Sequence, residues 1–478
     1  MALIRAASFF ERRGAMNIDG LRKACKGEVF TADDAPFLEA IHGNLWNRLI
    51  PERAPQAVVK AVDEDDVVAA VRFARESGLK VAVRGGGHNW CQPSLRHGGL
   101  LIDLSNFTKI ISVDVEKRRA VIQPIVSNRD IQRALNPLGL AFPTGHCPQV
   151  KASGYLLGGG MAWNPTVWGS GAESVEAIEL VTAQGELITA SATENTDFFW
   201  AARGAGYGFF GIVTKYYLKL HPLPKAMHGS TYYYRLAEAP AIGAWLGTLA
   251  PSLSPAIELS LFIVQAPPEL SGQAAAEKGW LCMVTATVFE DTPDAAKTAL
   301  QALEQSPISP LSSSFATPVT FEQLFDASGS FWPEGARSHV EATYSDRSPG
   351  ELVQSVLELL PKAPSATSVV LFTIFCGPDV PAAQKDMAYS VSAKVYGGPW
   401  SMWWKAEDDA ANTDWHRQIT TRLRPYNTGY YISETNTVER PASVPQAFTP
   451  EKWKRLCALR DKHDPDRLFF GYDDGFAD

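Results

Sequence analysis

Two glycine-rich stretches limit how this chain can fold: VRGGGHNW at residues 83–90, and FPTGHCPQV at 142–150 running on to LLGGG at 156–160. Three consecutive glycines at the end of a β run let the backbone take conformations closed to other residues, and bring its N–H groups close to an anion. Gly85, Gly86 and Gly87 therefore mark a tight loop that delivers His88 and Asn89 beyond the end of a strand. Cys147 holds the matching place in the second stretch. Taken singly, a loop histidine is usually a hydrogen-bonded structural residue, and a lone cysteine a small buried hydrophobe.

Around these loops, short β runs alternate with helices up to about residue 224. DEDDVVAAVRFARESG at 63–78 carries acids in its first turn, apolar residues at Val67, Val71 and Ala74, and a terminal Gly78, which predicts a helix with both ends marked. A strand at 80–84 follows it. IISVDV (110–115) with RAVIQP (119–124), and EAIELV (176–181) with ELITA (186–190), read as hairpins. This mixture predicts an α+β domain rather than a regular doubly wound sheet.

From about 225 to 425 the strands lengthen: STYYYRL, IELSLFIV, WLCMVTATV and SVVLFTIF are separated by helices, one opening at Thr292 with Pro293 in its first turn. The expectation is an antiparallel sheet covered by helices on one face, its other face free to wall a pocket. Trp332, Trp400, Trp403 and Trp404 fall in or beside its turns, as pocket walls or as core. Phe448, Thr449, Pro450 and Trp453 form a helix start, and AspPro at 464–465 ends that helix. The chain thus divides into 17–224, 225–425 and 426–478.

The chain of 478 residues is 45% hydrophobic, enough for a large core. Its 44 basic against 52 acidic side chains, a net charge of -8, provide no basic stripe for nucleic acid. Runs of 18 apolar residues are absent, which argues against a membrane span. The opening segment makes a poor signal peptide, with Met16 a candidate true start. Six thinly spread cysteines suggest no disulfide framework, so the cytoplasm is the expected compartment. The spacings of His88, Cys91, His146 and Cys147 fit no common zinc pattern, and no metal is expected. GYGFFG at 206–211 matches GxGxxG but follows a helical segment and precedes a β run, the reverse of the NAD fingerprint.

Taken in order, RGGGH (84–88), LLIDLS (100–105), AFPTGHCP (141–148), GYLLGGG (154–160), AARGAGYGFFGIV (201–213) and DPDRLF (464–469) cover most of the chain. Together they resemble the berberine bridge enzyme-like flavoproteins of the vanillyl-alcohol oxidase and p-cresol methylhydroxylase superfamily. The resemblance implies FAD bonded twice, through His88 to the 8α carbon and through Cys147 to C6 of its ring. It implies FAD-binding lobes from both ends of the chain around an inserted substrate domain. It also carries over Arg84, Gly85, Gly86, Gly87, Asn89, Val150, Gly154, Gly158, Gly159, Gly211, Ile212, Val213 and Tyr472 as cofactor-binding residues. The activity implied is removal of hydride from a small alcohol, sugar or amine, with O2 as acceptor and H2O2 as product, in a monomer or homodimer. A dehydrogenase with another acceptor, or a flavin-binding protein without turnover, is the alternative. Val150, three past Cys147, is oxidase-like for this family, whereas Lys151 and Tyr155 replace its common glycine and histidine.

Many of these flavoproteins carry TyrXAsnTyr near the C-terminus, where this chain has YYISETN at 430–436. Strand alternation places Tyr430, Ile432 and Glu434 on one face and Tyr431 and Ser433 on the other. Glu434 is the candidate catalytic base, with Tyr431 and Tyr430 beside it, and an ordinary solvated glutamate is the alternative.

Overall fold

Asp63 caps the helix Glu64–Glu76 by accepting from the Asp66 N–H, and Gly78, at φ 64°, turns the chain out of it. The strand Val81–Arg84 follows, pairing in parallel with Leu100–Asp103, which pairs in parallel with Ala57–Lys60. Glu28–Thr31 adds an antiparallel edge to this four-stranded sheet. The computed structural model describes residues 18–378, 385–390 and 392–476, so Met16 lies outside the described residues.

Both expected hairpins form, as Ile110–Asp114 with Arg119–Ile122 and Val175–Thr182 with Leu187–Ser191. Gly211–Lys219 runs antiparallel between them and joins them into a second, five-stranded sheet. Residues 206–211 form a short 3-10 turn and then enter this strand, with the helix Thr196–Ala201 before them, so the strand–loop–helix order of an NAD site is missing.

The long strands build a nine-stranded sheet, paired antiparallel throughout. Alternation decides what each face does. Along Ile257–Gln265, Leu259, Leu261 and Ile263 pack into one core with Ile242 and Leu246, Leu352 and Val353, and Trp415 and Ile419 from three helices. Each such side chain contributes roughly 1.5–3 kcal/mol by leaving water. Glu258, Ser260 and Phe262 point to the opposite face, where a cavity lies. The covering helices keep to one face as expected, with one departure: Phe321–Phe331 lies over the cavity face and lines it through Gln323, Leu324 and Phe331.

The helix Pro450–His463 starts as its sequence predicts, with Thr449 accepting from the Lys452 N–H at 3.3 Å and Phe448 stacked on Trp453 at 5.4 Å. Beyond it the chain returns to the first sheet: the Val81 N–H donates to the Leu468 carbonyl at 2.7 Å, and the Phe470 N–H to the Val81 carbonyl at 3.0 Å. Among the described residues no helix is long and apolar enough to cross a membrane.

One buried carboxylate ties the helix Glu64–Glu76 to the sheet. Asp66 accepts the backbone N–H groups of Lys26, Gly27 and Val62 at 2.7, 2.9 and 2.9 Å. Asp66→Ala strands these donors and is expected to cost about 2–4 kcal/mol in equilibrium unfolding. A change within about 0.5 kcal/mol would contradict the role given to Asp66.

Candidate active site

Two backbone loops pressed against each other build the site. A Cβ on Gly86 would stand 2.2 Å from Cγ of Lys151, and one on Gly87, where φ is 67°, would stand 1.9 Å from the Asn44 carbonyl oxygen. The first glycine loop therefore fits only by lying bare against the second. That second loop is pinned in turn: the Asn128 side chain donates to the Cys147 carbonyl at 3.0 Å, and the Asn128 N–H to the Val150 carbonyl at 2.9 Å. The Tyr155 hydroxyl holds the Pro143 carbonyl at 2.6 Å.

A cavity of about 220 Å³ follows the loops, lined by Gly85, Gly86, Gly87, His88, Asn89, Val150, Gly154, Gly211, Ile212 and Val213. A second, of about 330 Å³, lies between the loops and the nine-stranded sheet, whose Glu258, Ser260, Thr285, Thr287 and Thr373 face it. His88, Trp90, Val150, Tyr155, Tyr431 and Glu434 line both, and Cys147 lines the second. The two spaces thus share a wall that includes His88, and Cys147 lies in the lining of the second.

The two linings differ in charge. Arg84, Arg96 and Lys151 line the first, against Glu434 alone among acids, whereas the second holds Glu258 and Glu434 with neither Lys nor Arg. Glycine-rich walls with basic side chains suit the pyrophosphate and ribityl chain of FAD. The bare approach of Gly86 and Gly87 keeps that cradle open. The residues present therefore fit the cofactor.

Glu434 reaches the junction because the chain leaves the extended form after Gly429–Tyr430: the Glu434 N–H donates to the Tyr431 carbonyl at 3.0 Å, and this turn brings both side chains to one wall. The expected alternation fails there. Tyr430 lines neither cavity, since its hydroxyl accepts from Arg440 at 3.3 Å and its ring lies beneath that guanidinium. The Tyr396 hydroxyl donates to the Glu434 carboxylate, and the Tyr431 oxygen accepts from the Gly160 and Met161 N–H groups at 3.2 and 3.4 Å.

Five other residues expected at the cofactor have partners within the protein or lie off both cavities. Arg84 lines the first cavity, but its guanidinium is committed to Asp103 and to the Ala40 and Ile41 carbonyls. Gly158 and Gly159 line neither space, and a Cβ there would strike Ser433 and the ring of Tyr389. The Tyr472 hydroxyl donates to the Ala205 carbonyl at 2.6 Å while its ring covers Gly208, so it supports the 206–208 turn from behind. Asn89 lines the cavity and donates to the Ser433 carbonyl at 3.2 Å. Of the tryptophans, Trp332 and Trp400 wall the second cavity, Trp403 is buried with its N–H on Asp409, and Trp404 is exposed.

Sequence reasoning missed the pair in the floor of the second cavity, where His146 Nε2 meets Glu258 Oε1 at 2.5 Å. An acid, Glu258, inside the largely apolar run IELSLFIV was the available signal. Tyr396, Trp46, Trp90 and Trp163 were missed as well, and each lines this cavity.

Burial sets the protonation states. It holds the His88 imidazole neutral, its pKa lowered to about 3, with Lys151 adding to the effect. It pushes the Cys147 thiol up to about 12, aided by Glu434. Desolvation also raises the Glu434 carboxyl above the usual range, against the Tyr396 hydroxyl and His146. His146 differs: burial works against its charge, but Glu258 and then Glu434 overcome it and raise its pKa.

Part of the chain is similar in sequence to known FAD-linked proteins. Residues 55–191 match the model of an FAD binding domain. The FAD-linked oxidoreductase nodO of Hypoxylon pulicicidum is 28% identical over 424 residues, covering 88% of this chain and 91% of that protein. BBE-like 1 of Physcomitrella patens has a similar fold, with TM-score 0.78, 18% identity, and 96% and 98% of the two chains covered. Wild-type Phl p 4, a glucose dehydrogenase, superposes with TM-score 0.79 at 19% identity over 96% and 98%; its isoleucine-to-valine variant is a glucose oxidase.

The raised His146 pKa has a consequence for stability. Protonation of His146 stabilises the fold fully below about pH 6.5, its unfolded value, and that gain fades as pH rises through the folded value. His146→Gln is therefore expected to lower Tm more at about pH 6 than at about pH 9. An equal loss at both would contradict the pairing with Glu258.

Proposed function

We propose that the chain is a berberine bridge enzyme-like FAD-linked oxidoreductase, an oxidase whose FAD is bonded through His88 and Cys147. Its substrate is a small alcohol, sugar or amine held in the second cavity, and its electrons pass to O2 with release of H2O2. Residues 17–224 and 426–478 form the cofactor-binding part in this reading, and 225–425 the substrate part. The observation that carries it is the shared wall, where His88 faces both cavities and Cys147 faces the substrate side.

When bound, FAD supplies an acceptor for hydride and a store for two electrons. The protein supplies position, dryness and proton transfer. Trp46, Trp163, Trp332 and Trp400 give flat apolar walls, and the hydroxyls of Ser260, Thr285, Thr287 and Thr373 give a hydrogen-bonding floor that orients a polar ring. Glu434 takes the proton from the substrate oxygen or nitrogen, its basicity raised by desolvation. The Tyr396 hydroxyl, donating to the carboxylate, fixes its direction. Tyr431, held by two backbone N–H groups, keeps the wall rigid beside it. Val150 lines both cavities and is smaller than isoleucine, and the dehydrogenase-to-oxidase change of Phl p 4 by isoleucine-to-valine replacement supports an open path for oxygen here.

The test mixes the holoprotein anaerobically with a panel of alcohols, hexoses and cyclic amines. The expected result is bleaching of the flavin by at least one compound, slowed by about 10²–10⁴-fold in Glu434→Gln with FAD retained. Admitting air then restores the colour and yields peroxide. Bleaching of Glu434→Gln at the wild-type rate would remove Glu434 as base. Persistence of the bleached form in air would assign a dehydrogenase, and a panel without effect would count against turnover.

A further inference from the structure

Of the groups lining the second cavity, His146 has one ring nitrogen committed and one to spare. Nε2 meets Glu258 Oε1 at 2.5 Å, and among the described residues Nδ1 has no hydrogen-bond partner. The ring lines the cavity, and its side chain is 30% exposed against 7% for that of Glu258. The segment after the LLGGG stretch fixes this pair from two sides. The Trp163 ring lies 4.1 Å from the imidazole, centre to centre, and the Asn164 N–H donates to Glu258 Oε2 at 3.3 Å. That segment is itself tied to the loop before Cys147, the Trp163 N–H donating to the Thr144 carbonyl at 2.9 Å.

Stability alone does not call for this pair, since a buried ion pair is often no more stabilising than apolar side chains of the same volume. Both oxygens of Glu258 are taken, by His146 and by the Asn164 N–H, so the carboxylate orients the ring instead of meeting a ligand. Burial opposes a charge on His146, and Glu258 and then Glu434 outweigh it. With Nε2–H given to Glu258, the second proton sits on Nδ1, and the ring offers the cavity a fixed, charged donor. The surface beside it is set with hydroxyls. Thr231, Thr285, Ser260 and Thr373 are successive partners in the register of four adjacent strands, and Glu258 pairs with Thr287 in the next row on that face. All six line the cavity. At about 4.8 Å between strands, the row of four spans roughly 14 Å, enough to meet several oxygens of one ligand. An ammonium group has no such place: the imidazolium repels it, Glu258 is occupied, and Glu434 is reserved for the reacting proton.

We infer that His146 is a substrate-binding residue whose Nδ1–H donates to a second oxygen of the substrate, apart from the one that gives its proton to Glu434, so that the cavity selects neutral polyols over monoalcohols and amines. This role rests on the second cavity being the substrate site, and it narrows the substrate class proposed for that site. Glu258 is a positioning residue, acting through the ring it holds. Because the donor is fixed before the ligand arrives, a compound lacking the second oxygen leaves it unpaired, and the loss falls on binding.

The experiment titrates oxidised holoenzyme under nitrogen with cyclohexanol, cyclohexane-1,2-diol, cyclohexane-1,3-diol, myo-inositol and cyclohexylamine, reading Kd from the change in flavin absorption on mixing. At least one of the three polyols is expected to bind at least about tenfold tighter than cyclohexanol and cyclohexylamine, the gain of one hydrogen bond to a charged donor. In His146→Ala that margin should shrink to within about twofold, with cyclohexanol keeping its wild-type Kd. Glu258→Gln should cut the margin by at least about threefold, and keeps the test decisive if His146→Ala fails to fold. A pair that served structure alone would weaken all five compounds alike. That uniform loss, a margin that survives in the variants, or a wild type that binds cyclohexanol or cyclohexylamine as tightly as the polyols would overturn the role of His146 and leave the substrate site in place. If none of the five alters the flavin spectrum, the second cavity is not the substrate site, and the role of His146 falls with it.

Discussion

Arg84 and Asp103 are partners in the register of two adjacent parallel strands, and neither meets solvent. A buried ion pair stabilises little unless its remaining groups are also satisfied. Here they are: the guanidinium also binds the Ala40 and Ile41 carbonyls, and Asp103 accepts the Ser105 N–H at 2.7 Å. This contact fixes the point at which the first strand ends and the glycine loop begins. Because Gly86 touches Lys151 and Gly87 touches Asn44, a loop starting from a rigid point also sets the place of the second loop. The relation of His88 to Cys147, on which the junction of the cavities depends, descends from a salt bridge at the wall of the first cavity.

A division of charge follows from that arrangement. Basic side chains gather along the glycine-lined cavity, and carboxylates along the one floored by the sheet. In the proposed function, that division directs an anionic cofactor and a neutral or cationic substrate to different sides of one wall. The sheet makes this possible by using its faces unequally: Leu259, Leu261 and Ile263 join it to its helices, while Glu258, Ser260 and Thr373 remain for the cavity. Polar groups on that second face are held by one another, as Ser260 by Thr373 at 3.2 Å and His146 by Glu258, so they stay fixed before any ligand arrives.

Much of this could be read in the chain. Asp63 and Gly78 marked the ends of the helix Glu64–Glu76, Thr449 and Pro450 the start of the last, and IELSLFIV was legible as a strand of the large sheet. The glycine loops announced a close backbone approach, though the sequence did not say that each was the other's neighbour. Local pattern failed where the chain changed conformation within it: alternation through 430–434 presumes a strand that in fact ends at Tyr430 and turns. It failed also where distant residues meet. His146 meets Glu258 and Tyr344 meets Tyr389 across long sequence separations, and no periodicity encodes such pairs. Arg84 was legible as part of a cofactor motif, but its commitment to Asp103 became visible only in three dimensions.

That His88 and Cys147 hold one flavin ring between them is tested most directly by acid precipitation of the purified holoprotein, followed by digestion and mapping of its flavin-bearing peptides. The expected result is a yellow pellet yielding a single flavin that joins the peptide of His88 to the peptide of Cys147. A colourless pellet with free FAD in the supernatant would contradict the bonded junction.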